Sequence, residues 1–373
     1  MIYIFCFAIS CLLIWLGENS RKHFIANKII FLLALAIPAA LAGLRDFSIG
    51  IDVLGYGNPF FYDVASSPSP NAVSPMWDGW IEPGYAWLNF IVAQFSKNVR
   101  WFYFLIMFLQ NTFALLGFYV YKNKIPVWLG MLCYYFFFFN YSLNAIRETF
   151  ALSIIFFASH HLLNKSYIKY TVWILIAFFF HKSALLAFLF IPLHIYTLKF
   201  RSGKAKFILI ACLSAFFLNL KNVINLILEI LQMDYLARGL WYLSGDTDYT
   251  WRTHAILLAV FFLPVAFFYW KREKMYAIGE EYHFLFVITV ICLLSSQLIA
   301  FGPYTARLGM VFRWFLALAL PMSLAVYKNM LAKRFLLKTS IVCYAIYYWF
   351  FIIAHRNREE TFPYYSPVLN SIF

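Results

Sequence analysis

The sequence predicts an all-α, polytopic integral membrane protein of about twelve transmembrane helices, in one domain covering residues 1–373. Three observations predict it. First, 64% of the 373 residues are hydrophobic and only 12% are charged, where a soluble domain carries about 25% charged residues. Second, the apolar residues come in runs close to the length that crosses a hydrocarbon core. Third, lysine and arginine gather in alternate connections between those runs. No polar segment is long enough to form a separate soluble domain.

In chain order the twelve runs fall at about 1–16, 28–44, 101–120, 127–142, 147–163, 168–181, 183–198, 205–220, 253–270, 282–301, 306–327 and 336–353. The first lacks a positive n-region and a small-residue cleavage site, so it reads as a retained span. Two shorter runs, about 84–96 and 223–232, have polar flanks and read as interfacial or re-entrant helices. The six cysteines (Cys6, Cys11, Cys133, Cys212, Cys292 and Cys343) all lie inside apolar runs. They read as core packing, with no disulfide framework or metal spacing. No internal repeat is visible, which argues against an inverted-repeat transporter.

Charge sets the orientation. With the N-terminus outside, the inner connections hold eighteen Lys and Arg against four acids, and this excess equals the whole formal charge of +14. The outer side then carries two long loops with short helices, at about 45–100 and 221–252, with short corners at 143–147, 181–183 and 302–307 and a polar tail at 354–373. The basic balance therefore reflects orientation in a membrane and not nucleic-acid binding. If 168–198 were one span, the basic clusters at 199–206, 271–274 and 328–338 would fall outside. A break at His181–Ser183 is expected for that reason.

The break defines a helical hairpin from Asn144 to Ser183. Arg147 to Asn164 is about 27 Å of helix, close to a core of about 30 Å. Lys165 and Lys169 mark its inner turn, so Arg147, His181 and Lys182 belong at the outer face. Fixed cations at a membrane edge are costly and usually functional.

Several outer motifs each admit two readings. In GLRDFSIGIDVLGYGNPFF (43–61), Arg45, Asp46 and Asp52 stand among Gly50, Gly55 and Gly57. They fit an ordinary loop, or a site where Arg45 holds an anion and Asp52 faces a reacting hydroxyl. Ser66–Pro75 is Pro/Ser-rich and reads as flexible. Glu82 precedes Pro83 at the start of a short helix, and its carboxylate either caps that helix or acts as a general base. Arg147 and Glu148 form either a helix-start ion pair or part of a site, and His181 is either structural or a proton carrier. In DYLARGLWYLSGDTDYTWR, Trp241, Tyr242, Tyr249 and Trp251 alternate with Arg238, Asp246, Asp248 and Arg252, which suits sugar rings and equally suits an aromatic belt. In GPYTARLGMVFRWF (302–315), Arg307 lies at the boundary and Arg313 deeper; about 240° apart around one helix, they share no face. No Walker motif, GxGxxG, HExxH or DxD pair occurs, so neither a cofactor nor a metal is expected.

Four of these motifs in this order, RDFSIGIDVLGY, EPGYAWLN, NAIRETFALSIIFFA and AFFFHKSALLAFLFIPL, resemble the EpsG-like family of Wzy-type polysaccharide polymerases. The resemblance covers about residues 40–195, with GPYTARLG a weaker echo. Ile51 and Val53 stand where members commonly have Thr, and Glu148 where they often have Gln. The resemblance implies a bacterial inner-membrane glycosyltransferase with its active face periplasmic. It would transfer a glycan from undecaprenyl pyrophosphate onto another lipid-linked oligosaccharide repeat unit, building O-antigen or another surface polysaccharide. The implied base is His181, then Asp52, then Glu82. Arg45, Arg147, Lys182 and Arg307 are expected to bind pyrophosphate, and Arg252, Tyr56, Asn144 and Tyr304 complete the expected substrate contacts. Expected partners are the bilayer and a chain-length regulator. Two other readings stay open: an O-antigen ligase-like glycosyltransferase, and a flippase for the lipid-linked oligosaccharide. A flippase should line a path with mid-depth charges, yet apart from Arg313 the spans hold almost none.

Overall fold

A computed structural model describes residues 2–20, 24–77, 79–219, 251–298, 307–357 and 359–370, and among these the chain is helical with no strand. Helix occupies each of the twelve apolar runs. Among the described residues, seven stretches are long and apolar enough to cross a membrane: Ile2–Asn19, Ala26–Leu44, Val99–Tyr119, Lys182–Lys199, Ala255–Ile278, Met310–Tyr327 and Leu331–Ala354. Tyr167–Phe178 and Glu281–Ser296 are apolar but shorter. Val127–Tyr134 passes through a π-helical turn, Tyr135–Phe139, into Asn140–Asn144. The short run at 84–96 is the helix Pro83–Phe95, and the run at 223–232 lies outside the described residues.

The chain divides into two compact units, Met1–Phe188 with Asn329–Phe373, and Leu189–Lys328. In the second unit the helix Glu281–Ser296 is the hub, contacting Phe190–Lys199, Gly203–Leu218, Trp251–Ile278 and Met310–Met322. Aromatic rings fill its centre, with Phe190 and Phe284 both edge-on to Phe315 at 4.7 and 5.5 Å.

The first unit carries the hairpin. Its core is the buried run Tyr134–Phe139, where Phe7 stacks on Tyr135 at 5.1 Å. Tyr134 in this run is paired, as burial requires: its hydroxyl donates to Asn111 Oδ1 at 3.0 Å and accepts from Gln110 Nε2 at 3.1 Å. The two ends of this unit differ. At one end the Glu18 carboxylate accepts from the amides of Val127 and Trp128 at 2.8 and 3.1 Å, tying the end of the first helix to the start of another. The helix order places Lys28, Lys122, Lys124, Lys165 and Lys169 at this end. Leu44, Asn144, Phe178 and Ala354 finish their helices at the opposite end, and the candidate site assembles there.

The expected break is present: one helix ends at Phe178 and a tight helical turn starts at Lys182. The polar tail, expected only as an outer extension, is instead sewn onto this end. Asn357 Oδ1 accepts from the amides of Thr361 and Phe362 at 3.1 and 2.8 Å. The Tyr3 hydroxyl donates to the Thr361 carbonyl at 2.6 Å, and the Asp46 amide to the Tyr365 carbonyl at 2.9 Å.

Gly50 lets the first long loop reach this surface. It has φ +89°, and a Cβ there would stand 2.5 Å from the Leu143 carbonyl oxygen. Gly50→Ala is expected to cost at least about 1–3 kcal/mol, read as thermal unfolding in detergent. Gly55→Ala, where a Cβ meets nothing within 4 Å, should change stability by less than about 0.5 kcal/mol.

Candidate functional site

Four pieces of chain meet at the hairpin corner: the loop around 45–58, the segment 80–85, the corner itself (140–148 and 179–183), and the tail 357–366. At their centre Arg147 and Glu82 form an ion pair at 2.5 Å, with side chains 6% and 5% exposed. Glu82 was expected either to cap its helix or to act as a base. It sits at the N-cap position but makes no side-chain cap hydrogen bond. One carboxylate oxygen takes the Arg147 guanidinium, and the other accepts the Lys182 amide at 3.2 Å. The carboxylate thus bridges both arms of the hairpin. The possible Arg147–Glu148 pair is not the partnership formed; the Tyr141 hydroxyl donates to Glu148 at 3.0 Å.

The Arg147 guanidinium is boxed by aromatic rings, 4.4 Å from Trp80 and 4.6 Å from Tyr56. It also donates to the Trp80 carbonyl at 3.1 Å. Desolvated cation–π contacts of this kind contribute about 2 kcal/mol each. Gly84 lets the segment close onto the corner: its amide donates to the Phe179 carbonyl at 2.8 Å, and a Cβ there would lie 2.7 Å from the same oxygen.

Tyr56 carries the connection outward. Burial, with the nearby Asp52 charge, pushes its hydroxyl's pKa well above the ordinary phenol range. The hydroxyl therefore keeps its proton between the Arg147 and Asp52 charges. Asp52 is half-buried. Its amide donates to Asn144 Oδ1 at 3.0 Å, and Asn144 Nδ2 donates in turn to Glu359 on the tail. A continuous chain of contacts therefore runs from Lys182 through Glu82, Arg147, Tyr56, Asp52 and Asn144 to Glu359.

Arg45 is only 1% exposed. It donates to the Leu143 carbonyl and lies 4.7 Å above the Tyr103 ring. Asp46 takes the amide and hydroxyl of Ser48 at 2.9 and 2.6 Å, which hold its carboxyl below the usual range; it is a turn-former. His181 is half-buried, with Nδ1 2.7 Å from Ser183 Oγ and accepting the Ser183 amide at 3.2 Å. Accepting an amide leaves Nδ1 without a proton, so a neutral ring carries its proton on Nε2. Lys182 has its amide pinned by Glu82 and its side chain exposed.

The structure thus gathers Arg45, Asp52, Tyr56, Glu82, Asn144, Arg147, His181 and Lys182 at one end of one unit. Arg307 and Arg252 belong to the other unit: Arg307 is half-buried ahead of Met310–Met322, and Arg252 stands in the first turn of Trp251–Ile278. Tyr304 and the segment 220–250 lie outside the described residues. Deep in the second unit, Arg313 lies 5.2 Å from the Phe261 ring. Trp80, Tyr103 and Glu359 are site residues that the sequence reading passed over. The only trace of Glu359 was a polar cluster, NREET, just past the last apolar run.

The family model described as EpsG family matches residues 28–366. No curated protein and no solved structure matches the chain.

Tyr56→Phe, which removes only the hydroxyl and keeps the ring over Arg147, is expected to change stability by no more than about 1.5 kcal/mol. Tyr56→Leu also removes the cation–π contact and should cost about 2 kcal/mol more. Thermal unfolding of the purified variants checks both values.

Proposed function

The chain belongs to the EpsG family, and on that premise we propose that it is a polysaccharide polymerase. In this reading it works at the periplasmic face of the bacterial inner membrane. It moves a growing glycan from undecaprenyl pyrophosphate onto the terminal sugar of another lipid-linked repeat unit, extending O-antigen or a related surface polysaccharide. The observation that carries the reading is the contact chain at the hairpin corner. It supports half-buried Asp52 and His181 and exposed Lys182 on a core of buried, paired charge, at the end of the unit opposite Lys28, Lys122, Lys124, Lys165 and Lys169.

The chemistry assigned to this site follows from what each group can still do. Glu82 has both oxygens hydrogen-bonded within the corner, so it is assigned a positioning role. The neutral His181 tautomer offers an N–H on Nε2, so it donates. Asp52 is left as the base, ahead of His181 in the order expected from sequence. Asp52 removes the proton from the acceptor hydroxyl, the oxygen bonds to the donor's anomeric carbon, and the bond from that carbon to pyrophosphate breaks. The Lys182 ammonium and the His181 N–H meet the charge that develops on the departing pyrophosphate. Arg45 and Arg147 act through backbone and aromatic contacts, holding the loops that present these groups.

Asp52→Asn is expected to reduce polymerisation by about 10²–10⁴-fold, the usual scale of general-base catalysis. Lipid A–core carrying a single repeat unit should then accumulate, while His181→Ala and Lys182→Ala shorten the chains. Full-length chains from Asp52→Asn at normal expression would overturn the assignment. Core with no repeat unit after gene deletion would point to a flippase or ligase instead.

A further inference from the structure

At the lysine-bearing end of the first unit, the helices Ile2–Asn19, Phe24–Leu44 and Val99–Tyr119 leave a groove of about 480 Å³. Its walls are Phe31, Leu32 and Leu35 on one side and Leu115 and Leu116 on the other. Leu32 and Leu116 are 53% and 41% exposed, so the groove opens sideways, along helices apolar enough to lie in a bilayer. Its mouth is polar, formed by Asn27, Lys28 and Tyr119. The Lys122 ammonium caps Tyr119, 3.2 Å from its hydroxyl and 4.3 Å from its ring centroid. Asn27 donates its amide to the Ser20 carbonyl, while its buried Oδ1 has no hydrogen-bond partner among the described residues.

We propose that this groove binds one anionic glycerophospholipid whose headgroup carries a hydroxyl, with an acyl chain between the leucines and its phosphate at Lys28 and Lys122. Three features select that occupant. The apolar slot runs along two helices and ends at helix termini, which is where a headgroup meets its chain. Two cations at that depth favour a phosphate that keeps its net negative charge. The unsatisfied Asn27 oxygen needs a donor, which a glycerol hydroxyl supplies and a trimethylammonium headgroup does not. None of these residues belongs to the site at the hairpin corner, so the inference stands apart from the proposed activity.

The test is native mass spectrometry of the full-length protein in mild detergent, with equimolar phosphatidylglycerol and phosphatidylcholine. One phosphatidylglycerol should be retained at least about tenfold over phosphatidylcholine, the scale expected of two juxtamembrane lysines. Lys28→Glu with Lys122→Glu should remove that preference. Leu116→Trp, a change at an exposed wall position, should fill the groove and displace the lipid without altering thermal unfolding. Equal retention of the two lipids would overturn the proposal. So would undiminished phosphatidylglycerol on the Leu116→Trp protein, a lipid-free dimer, or displacement by a polyprenyl phosphate at lower concentration.

Discussion

The constraint on which the site depends is a buried charge that must be neutralised. Arg147 begins a helix inside the protein, where an unpaired guanidinium would cost several kcal/mol. Its partner comes from 65 residues earlier in the chain. Because Glu82 supplies the opposite charge, the segment 80–85 must lie against the corner, and Trp80 and Tyr85 come with it. The second oxygen of Glu82 then fixes the Lys182 amide, so one carboxylate sets the distance between the two arms of the hairpin. A pair of this kind adds less to net stability than to specificity of arrangement, since desolvation offsets most of the attraction. Its value here is that only one docking of the loop satisfies it.

The same arrangement separates holding from reacting. Groups that are buried, Arg45, Glu82 and Arg147, fix backbone through the Leu143 carbonyl, the Lys182 amide and the Trp80 carbonyl. Groups nearer the surface, Asp52, His181 and Lys182, are positioned through the amides of Asp52 and Lys182 and through one ring nitrogen of His181. Pinning a residue by its amide limits its position, which is what a preorganised site needs. The tail adds a second anchor: Asn144 faces Asp52 with its oxygen and Glu359 with its nitrogen, so the two loops share one amide side chain.

Much of this was legible in the sequence, and the rest was not for physical reasons. Apolar runs and charge placement are local patterns, so the helices, the break after Phe178 and the end at which Arg147, His181 and Lys182 gather could be read directly. The crossing helices could be read only in part. The run at 127–142 looks like one uniform span, but a π-helical turn at Tyr135–Phe139 interrupts its ladder, and no composition signal marks such a turn. Arg147 and Glu82 each stood out, yet pairing across 65 residues has no periodicity, and the nearer Glu148 was the obvious partner. Burial was equally hidden: Arg45 reads as a boundary cation but lies under Tyr103, out of solvent. Glu359 was passed over because polar residues after a last span usually form an unattached tail. What ties them down is an asparagine, Asn357, folding the chain back on itself.

A double-mutant cycle on Glu82 and Arg147, followed by thermal unfolding in detergent, tests the central claim most directly. Each single change, Glu82→Ala or Arg147→Ala, strands a buried charge and is predicted to cost about 3–5 kcal/mol. The double variant is predicted to cost clearly less than the sum, because neither charge is then left alone. Additive effects with each single change below about 1 kcal/mol would contradict the account, for they would mean that the loop is held against the hairpin by something other than this pair.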